Sequence, residues 1–143
     1  MAAVAADAIA GVLAPAPPVV VRKRNVLLDG DAFPLVTVSL SGREEFEPAW
    51  TDAAGGKWYF VRYNAAVCFD WPVGGKAGEN PPSQDARDAA WAALADYRNL
   101  AAAGLTEAND AFPRGGPAPD PGPLARQVER SALFLVVETL ELR

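Results

Sequence analysis

The stretch KWYFVRYNAAVCFDW, residues 57–71, constrains this chain more than any other. Side chains along a strand alternate between two faces. One face here carries Tyr59, Val61, Tyr63, Ala65, Val67, Phe69 and Trp71, apolar or aromatic throughout. The other carries Trp58, Phe60, Arg62, Asn64, Ala66, Cys68 and Asp70, which is mixed. This period of two marks a strand with one core face. Most strands run ~3–10 residues, so one this long must bend or project beyond its sheet. The fold is expected to be built around it.

The chain before it supplies a helix and two strands. Val4, Ala8, Ile9, Val12 and Leu13 fall on one side of a helix that ends before Pro15. That run has no basic start and contains Asp7, so a helix of the fold is expected rather than a signal peptide. It is also too short to span a bilayer. VVVRKR, residues 19–24, predicts a strand running from core to solvent. Three basic residues are a weak signal for an acidic partner or a phosphate. NVLLDGDA, residues 25–32, predicts a turn, since Asp29 and Asp31 lack the other ligands of a calcium loop. FPLVTVSL, residues 33–40, predicts a second strand, with Pro34 at its start or on an edge.

Residues 41–56 then form the tip arm of a long hairpin, with Glu44, Glu45, Glu47, Pro48 and Trp50. Trp50 either tucks back onto the sheet or serves at a contact. Residues 73–82 predict a loop, without the glycine spacing of a phosphate loop. Ser83 is placed as the N-cap of a helix reaching about residue 103. Ala86, Ala90, Ala93, Leu94, Tyr97, Leu100 and Ala101 share its core face, with Trp91 at the edge. Residues 106–123 are dense in Pro and Gly and predict a loop without regular structure. Such a loop is either a mobile insertion or an arm laid on another subunit. ALFLVV, residues 132–137, is apolar on both faces and predicts an interior strand. The tail after it alternates, with Thr139 and Glu141 opposite Leu140 and Leu142.

These elements predict one α+β domain over residues 1–143. A small mixed or antiparallel sheet of about four strands carries a long hairpin. One main helix packs on it, beside a short N-terminal helix.

Composition narrows the function. The net charge is −5, which disfavours a dedicated nucleic-acid binder or an anionic membrane surface. There is no His, which removes the commonest general base and His-based metal sites. The single Cys, Cys68, forms no internal disulfide. No catalytic residue, metal ligand or cofactor is expected. The contrasting reading is a small metal-dependent enzyme using Glu44, Glu45, Glu47, Asp29 or Asp31. A third reading is a monomeric binding module. The candidate contact residues are Glu44, Glu45, Glu47, Trp50, Trp58, Phe60, Arg62 and Trp91. Trp58 and Phe60 beside Arg62 have the composition of a protein contact.

VVVRKR, FPLVTVSLSGREEFEP, the aromatic strand, the helix from Ser83 and the closing ALFLVVETLELR succeed one another in a recognisable order. The arrangement resembles the tail-terminator (tail completion) proteins of long-tailed phages and of prophage or gene-transfer particles. It spans nearly the whole chain, although residues 112–123 make a longer connection before the last strand than is usual in that family. The resemblance implies a structural virion protein at the head–tail junction, assembled in the host cytoplasm. It implies a homo-oligomeric ring, usually a hexamer, seated on the tail tube protein. The ring would stop tube growth and meet the head–tail connector protein. Another neck, head-completion or minor tail component is the nearest alternative.

Overall fold

A computed structural model of the chain describes residues 1–14, 17–74 and 80–143. Its central strand is β3, Lys57–Pro72. Four more strands flank it: β1 (Val19–Val21), β2 (Leu35–Thr51), β4 (Ala108–Arg114) and β5 (Val128–Leu142). The described residues also form three α-helices, α1 (Ala2–Leu13), α2 (Pro82–Ala95) and α3 (Tyr97–Ala102), and a 3-10 turn at Ala125–Gln127. The sheet runs β1-β2-β3-β5-β4. Only β1 is parallel to its neighbour; the other pairs are antiparallel. The class is α+β as expected, but the described sheet has five strands rather than about four.

The extra strand, β4, lies inside the stretch expected to lack regular structure. Ala108–Arg114 pairs with residues 134–139 of β5. Pro113 is tolerated because β4 is an edge and needs no donor on its outer side. Residues beyond β4 are also tied down. Leu27 N donates to the Pro121 carbonyl at 3.0 Å, and Arg130 Nη1 donates to the Pro119 carbonyl at 3.0 Å. A Cβ on Gly116 would stand 2.8 Å from the Phe134 ring, so only glycine lets the backbone cross there.

Of the two ways to hold so long a strand, projection beyond the sheet is not found. β2 and β5 are as long as β3 and pair with it along nearly its whole length. The arm at residues 41–56 is mostly β2, which continues to Thr51 with irregularities at Ser41/Glu45 and Pro48/Trp50. Only the turn at residues 52–56 is free. Asp52 closes it, accepting from the Gly56 N–H at 2.8 Å and the Ala54 N–H at 3.0 Å.

The alternation read from the sequence holds. Val61, Tyr63, Ala65, Val67 and Phe69 are buried under the helices with Val36, Val38, Leu133 and Leu135. α1 adds Ala5, Ala8 and Ile9 to this core, while Val4 points to solvent. The expected single helix is broken. α2 ends at Ala95, and Asp96 leaves helical dihedrals and caps α3 by accepting from the Arg98 N–H. Asp is a strong N-cap and here wins over helix continuation. The break shifts the phase. Leu94 and Leu100 are fully buried, but Tyr97 is 40% exposed rather than in the core. Ser83 is not the N-cap; Pro81 holds that place. The Ser83 hydroxyl is buried and donates to Glu129 at 2.6 Å. The loop expected over 73–82 falls partly outside the described residues.

The other sheet face is covered at one end only. There, Leu27, Leu35 and Val128 form a second small core with Val20, Phe33 and Leu124. Asn25 enters beneath it and donates to the Thr37 and Ala66 carbonyls. Arg22 pairs with Asp31 at 2.7 Å, which holds the loop between β1 and β2. This pairing, with its hydrogen bond, keeps the Asp31 carboxyl below its ordinary range. Asp31 is thus engaged as the ion-pair partner of Arg22.

Candidate functional site: the open face of the sheet

Toward the hairpin, no element among the described residues covers the face opposite the helices. Strand register puts its residues in rows, because directly paired residues point the same way. Trp50, Trp58 and Leu142 form the outermost row. Glu47, Phe60 and Leu140 form the next, followed by Glu45, Arg62 and Glu138. Asn64, Val136 and Phe112 come next. Trp50 and Phe112 are each 49% exposed and Leu142 is 56% exposed. Trp58, Phe60, Leu140 and Val136 are half-buried. A run of exposed aromatic and aliphatic side chains on a rigid sheet is a surface that contact with another molecule would stabilise.

The geometry holds these groups in place. Trp50 stacks on Trp58 with ring centroids 5.7 Å apart and planes 19° apart. The Trp58 indole N–H donates to Asp52 at 3.0 Å. That bond, with backbone donors of the turn, lowers the Asp52 pKa. Arg62 bridges two strands. It donates to Glu47 at 2.8 Å and to Glu138 at 3.0 Å, and Asn109 donates to Glu138 at 2.7 Å. Arg62 is thus shared by two carboxylates, and with Glu45 in the same row the middle of the face stays acidic.

The candidate contact residues split between surfaces. Glu45, Glu47, Trp50, Trp58, Phe60 and Arg62 share the open face. Glu44 does not: it accepts from Arg143 at 3.2 Å on the helix side, where Arg143 also lies 4.6 Å over the Phe46 ring. Trp91 packs against the helix-side core, far from this face. Leu140, Leu142, Phe112, Val136 and Glu138 complete the surface and were not singled out from the sequence. The alternation of Leu140 and Leu142 was the visible signal, but its face depends on register with β3.

The glutamates do not gather as an enzyme's acids would. Adjacent strand residues diverge, so Glu44 and Glu45 point to opposite faces. Among the described residues no group of three or more His, Cys, Asp or Glu is placed to hold a metal ion. No helix of the described residues is long and apolar enough to cross a membrane. Cys68 is fully buried, and burial pushes its thiol up to about 12, so it is not a reactive thiolate.

One buried acid lies behind the hairpin. Glu141, 7% exposed, accepts from the Tyr63 hydroxyl at 2.9 Å, from Thr139, and from Arg143 at 3.0 Å. Burial works against its charge, but the donors Thr139, Arg143 and Tyr63 together outweigh it and lower its pKa from 4.5. Burial first, then the hydrogen bond to Glu141 and its charge, raise the Tyr63 pKa. A depressed folded pKa contributes stability above the unfolded value and loses it as pH falls through the folded one. Glu141→Gln is therefore expected to cost about 2 kcal/mol at neutral pH, the scale of a hydrogen-bonded charge. The difference from wild type should shrink below the ordinary carboxylate value. Urea unfolding at neutral and acid pH measures it; a pH-independent difference would contradict this assignment.

No protein-family model matches the chain, and no curated protein matches it.

Proposed function

We propose that this chain is a structural subunit of a phage-type tail. It forms a ring at the end of the tail tube, ends tube growth and joins the tail to the head connector. The observation that carries this is the uncovered aromatic and aliphatic sheet face at the hairpin. A subunit built to pack against others needs such a face, and a freely soluble monomer does not.

The sheet edges support the same reading. The outer edge of β4 carries Pro113 and a bulge at Asp110. β2 beyond its short pairing with β1 carries Pro48 and two irregularities. Such devices blunt edge-to-edge strand pairing. Contacts are then directed to the face, which favours a defined closed assembly over open-ended growth. The dispersal of Glu44, Glu45 and Glu47, with Glu44 and Glu47 held by arginines, weighs against the metal-enzyme reading.

Electron microscopy of the protein mixed with tail tube subunits tests the proposal. The expected result is ring density capping the tube, with residues 41–56 and the Trp50–Trp58 pair at subunit contacts. Bare tube ends beside a monomeric protein would overturn it. A ring on the head side of the connector would favour a neck component instead.

A further inference from the structure

A groove of about 490 Å³ lies over the middle of the open face. Its floor is Ala66 and Phe134; one wall is residues 23–26, and the other is Pro119 and Asp120. Lys23 and Arg24 are exposed on the first wall, and neither forms an ion pair among the described residues. Arg114, paired with Phe134 in register, adds a third exposed cation beside the floor. The one acid of the groove, Asp120, accepts from the Gly122 N–H at 2.9 Å on its own turn.

Asn25 shapes the bottom. It is 7% exposed, and its Nδ2 donates to the Thr37 and Ala66 carbonyls at 3.1 and 3.2 Å. Two carbonyl acceptors fix the amide orientation. Asn25 lines the groove beside Ala66. The groove thus offers cations at the rim and an apolar floor, with the Asn25 amide at its base. An extended, acidic, partly aromatic peptide has the complementary set: carboxylates and apolar side chains.

We infer that this groove receives the β2 arm of a second copy of the chain, with Glu45 against Lys23 and Arg24. Charge complementarity selects the occupant. The chain carries −5 overall, and the open face of the arm joins exposed Glu45 and Glu47 to exposed Trp50. Glu45 has no ion-pair partner among the described residues, because Arg62 opposite it is held by Glu47 and Glu138. A chain cannot fill its own groove. Ala66 in the floor and Arg62 beside Glu45 lie four residues apart along β3, about 13 Å of rigid strand. Groove and arm are different patches, so the contact is head-to-tail and generates a ring when the rotation closes. This deepens the proposed ring and rests on it, while naming the surfaces that meet.

Zero-length carbodiimide coupling of the full chain, mixing isotope-labelled and unlabelled protein with tube subunits, tests the contact. The expected product joins Lys23 of one copy to Glu45 of another. Lys23→Glu with Arg24→Glu should reduce ring formation about tenfold or more, as reversed contact charges do. Adding Glu45→Lys to that variant should restore it. These sites are exposed, and a thermal melt checks that each variant folds. Rings that form normally in the doubly reversed variant, with no Lys23–Glu45 product from wild-type rings, overturn this inference and leave the ring proposal standing. The Lys23–Glu45 product between copies without rings on tubes overturns the ring proposal and leaves the contact. Absence of both overturns both.

Discussion

Arg130→Ala is expected to lower the unfolding free energy by about 3–5 kcal/mol, the cost of breaking a buried ion pair from one side. Arg130 and Asp70 face each other across β3 and β5. Their side chains are 4% and 0% exposed. Arg130 Nε donates to Oδ1 at 2.8 Å and Nη2 to Oδ2 at 3.0 Å, a two-pronged pairing. Nη1 holds the Pro119 carbonyl, so the same guanidinium anchors the loop over the open face. Without it, the Asp70 carboxylate has no water and no cation, and the loop loses a tie. Chemical denaturation measures the loss. Replacing both partners, Arg130→Met with Asp70→Leu, should cost far less, because no charge is then stranded. A single variant within experimental error of wild type would show that water reaches the pair.

Phe69→Ala should cost about 3 kcal/mol, the lower end of the usual range for a buried phenylalanine. Phe69 is 2% exposed on the helix face of β3, beside Val36. Truncation removes its apolar contact and leaves a cavity. A groove of about 250 Å³ between α1 and α2 already borders Phe69, so the site can partly relax or take up water. That places the cost low in the range. The same denaturation experiment reads it. An unchanged midpoint would mean that the helices do not rest on this ring.

The strand faces were legible because they depend on local alternation. Tyr59 through Trp71 needed only a period of two and one buried side to be assigned. The first helix and the strand at ALFLVV were legible from patterns just as local. Gly104, after α3, adopts a positive φ of 118°, as a helix-ending glycine does. The break at Asp96 was legible only in principle. Asp in a long alanine-rich run reads as a surface residue until the turn after it is seen to cap a second helix. β4 was hidden by its composition. Pro113 and the nearby glycines argue against a strand in isolation, and only the exposed outer edge of the sheet makes them acceptable.

The candidate site was legible residue by residue but not as a surface. Trp58, Phe60 and Arg62 stood out as aromatic or charged on the mixed face, and Trp50 as an aromatic on the arm. Their neighbours on β5 and β4, Leu140, Leu142, Val136 and Phe112, join them only through register across residues far apart in sequence. Glu44 and Trp91 fell away because one strand position, or one helix edge, sends a side chain to the other side of the sheet.

The sequence by itself determined which segments alternate, which face of β3 is apolar, and that no histidine chemistry is open to this chain. Those properties follow from residue type and spacing along a few neighbouring positions. Tertiary structure alone decided how far β2 and β5 run, which loops cover the lower half of the second face, and that the hairpin half stays bare. It also decided that Asp70 meets Arg130 while Glu45 pairs with no cation among the described residues. Strand length and pairing are set by the partner's hydrogen bonds and packing, and a charge's fate by what is folded against it. Neither is carried by the local pattern.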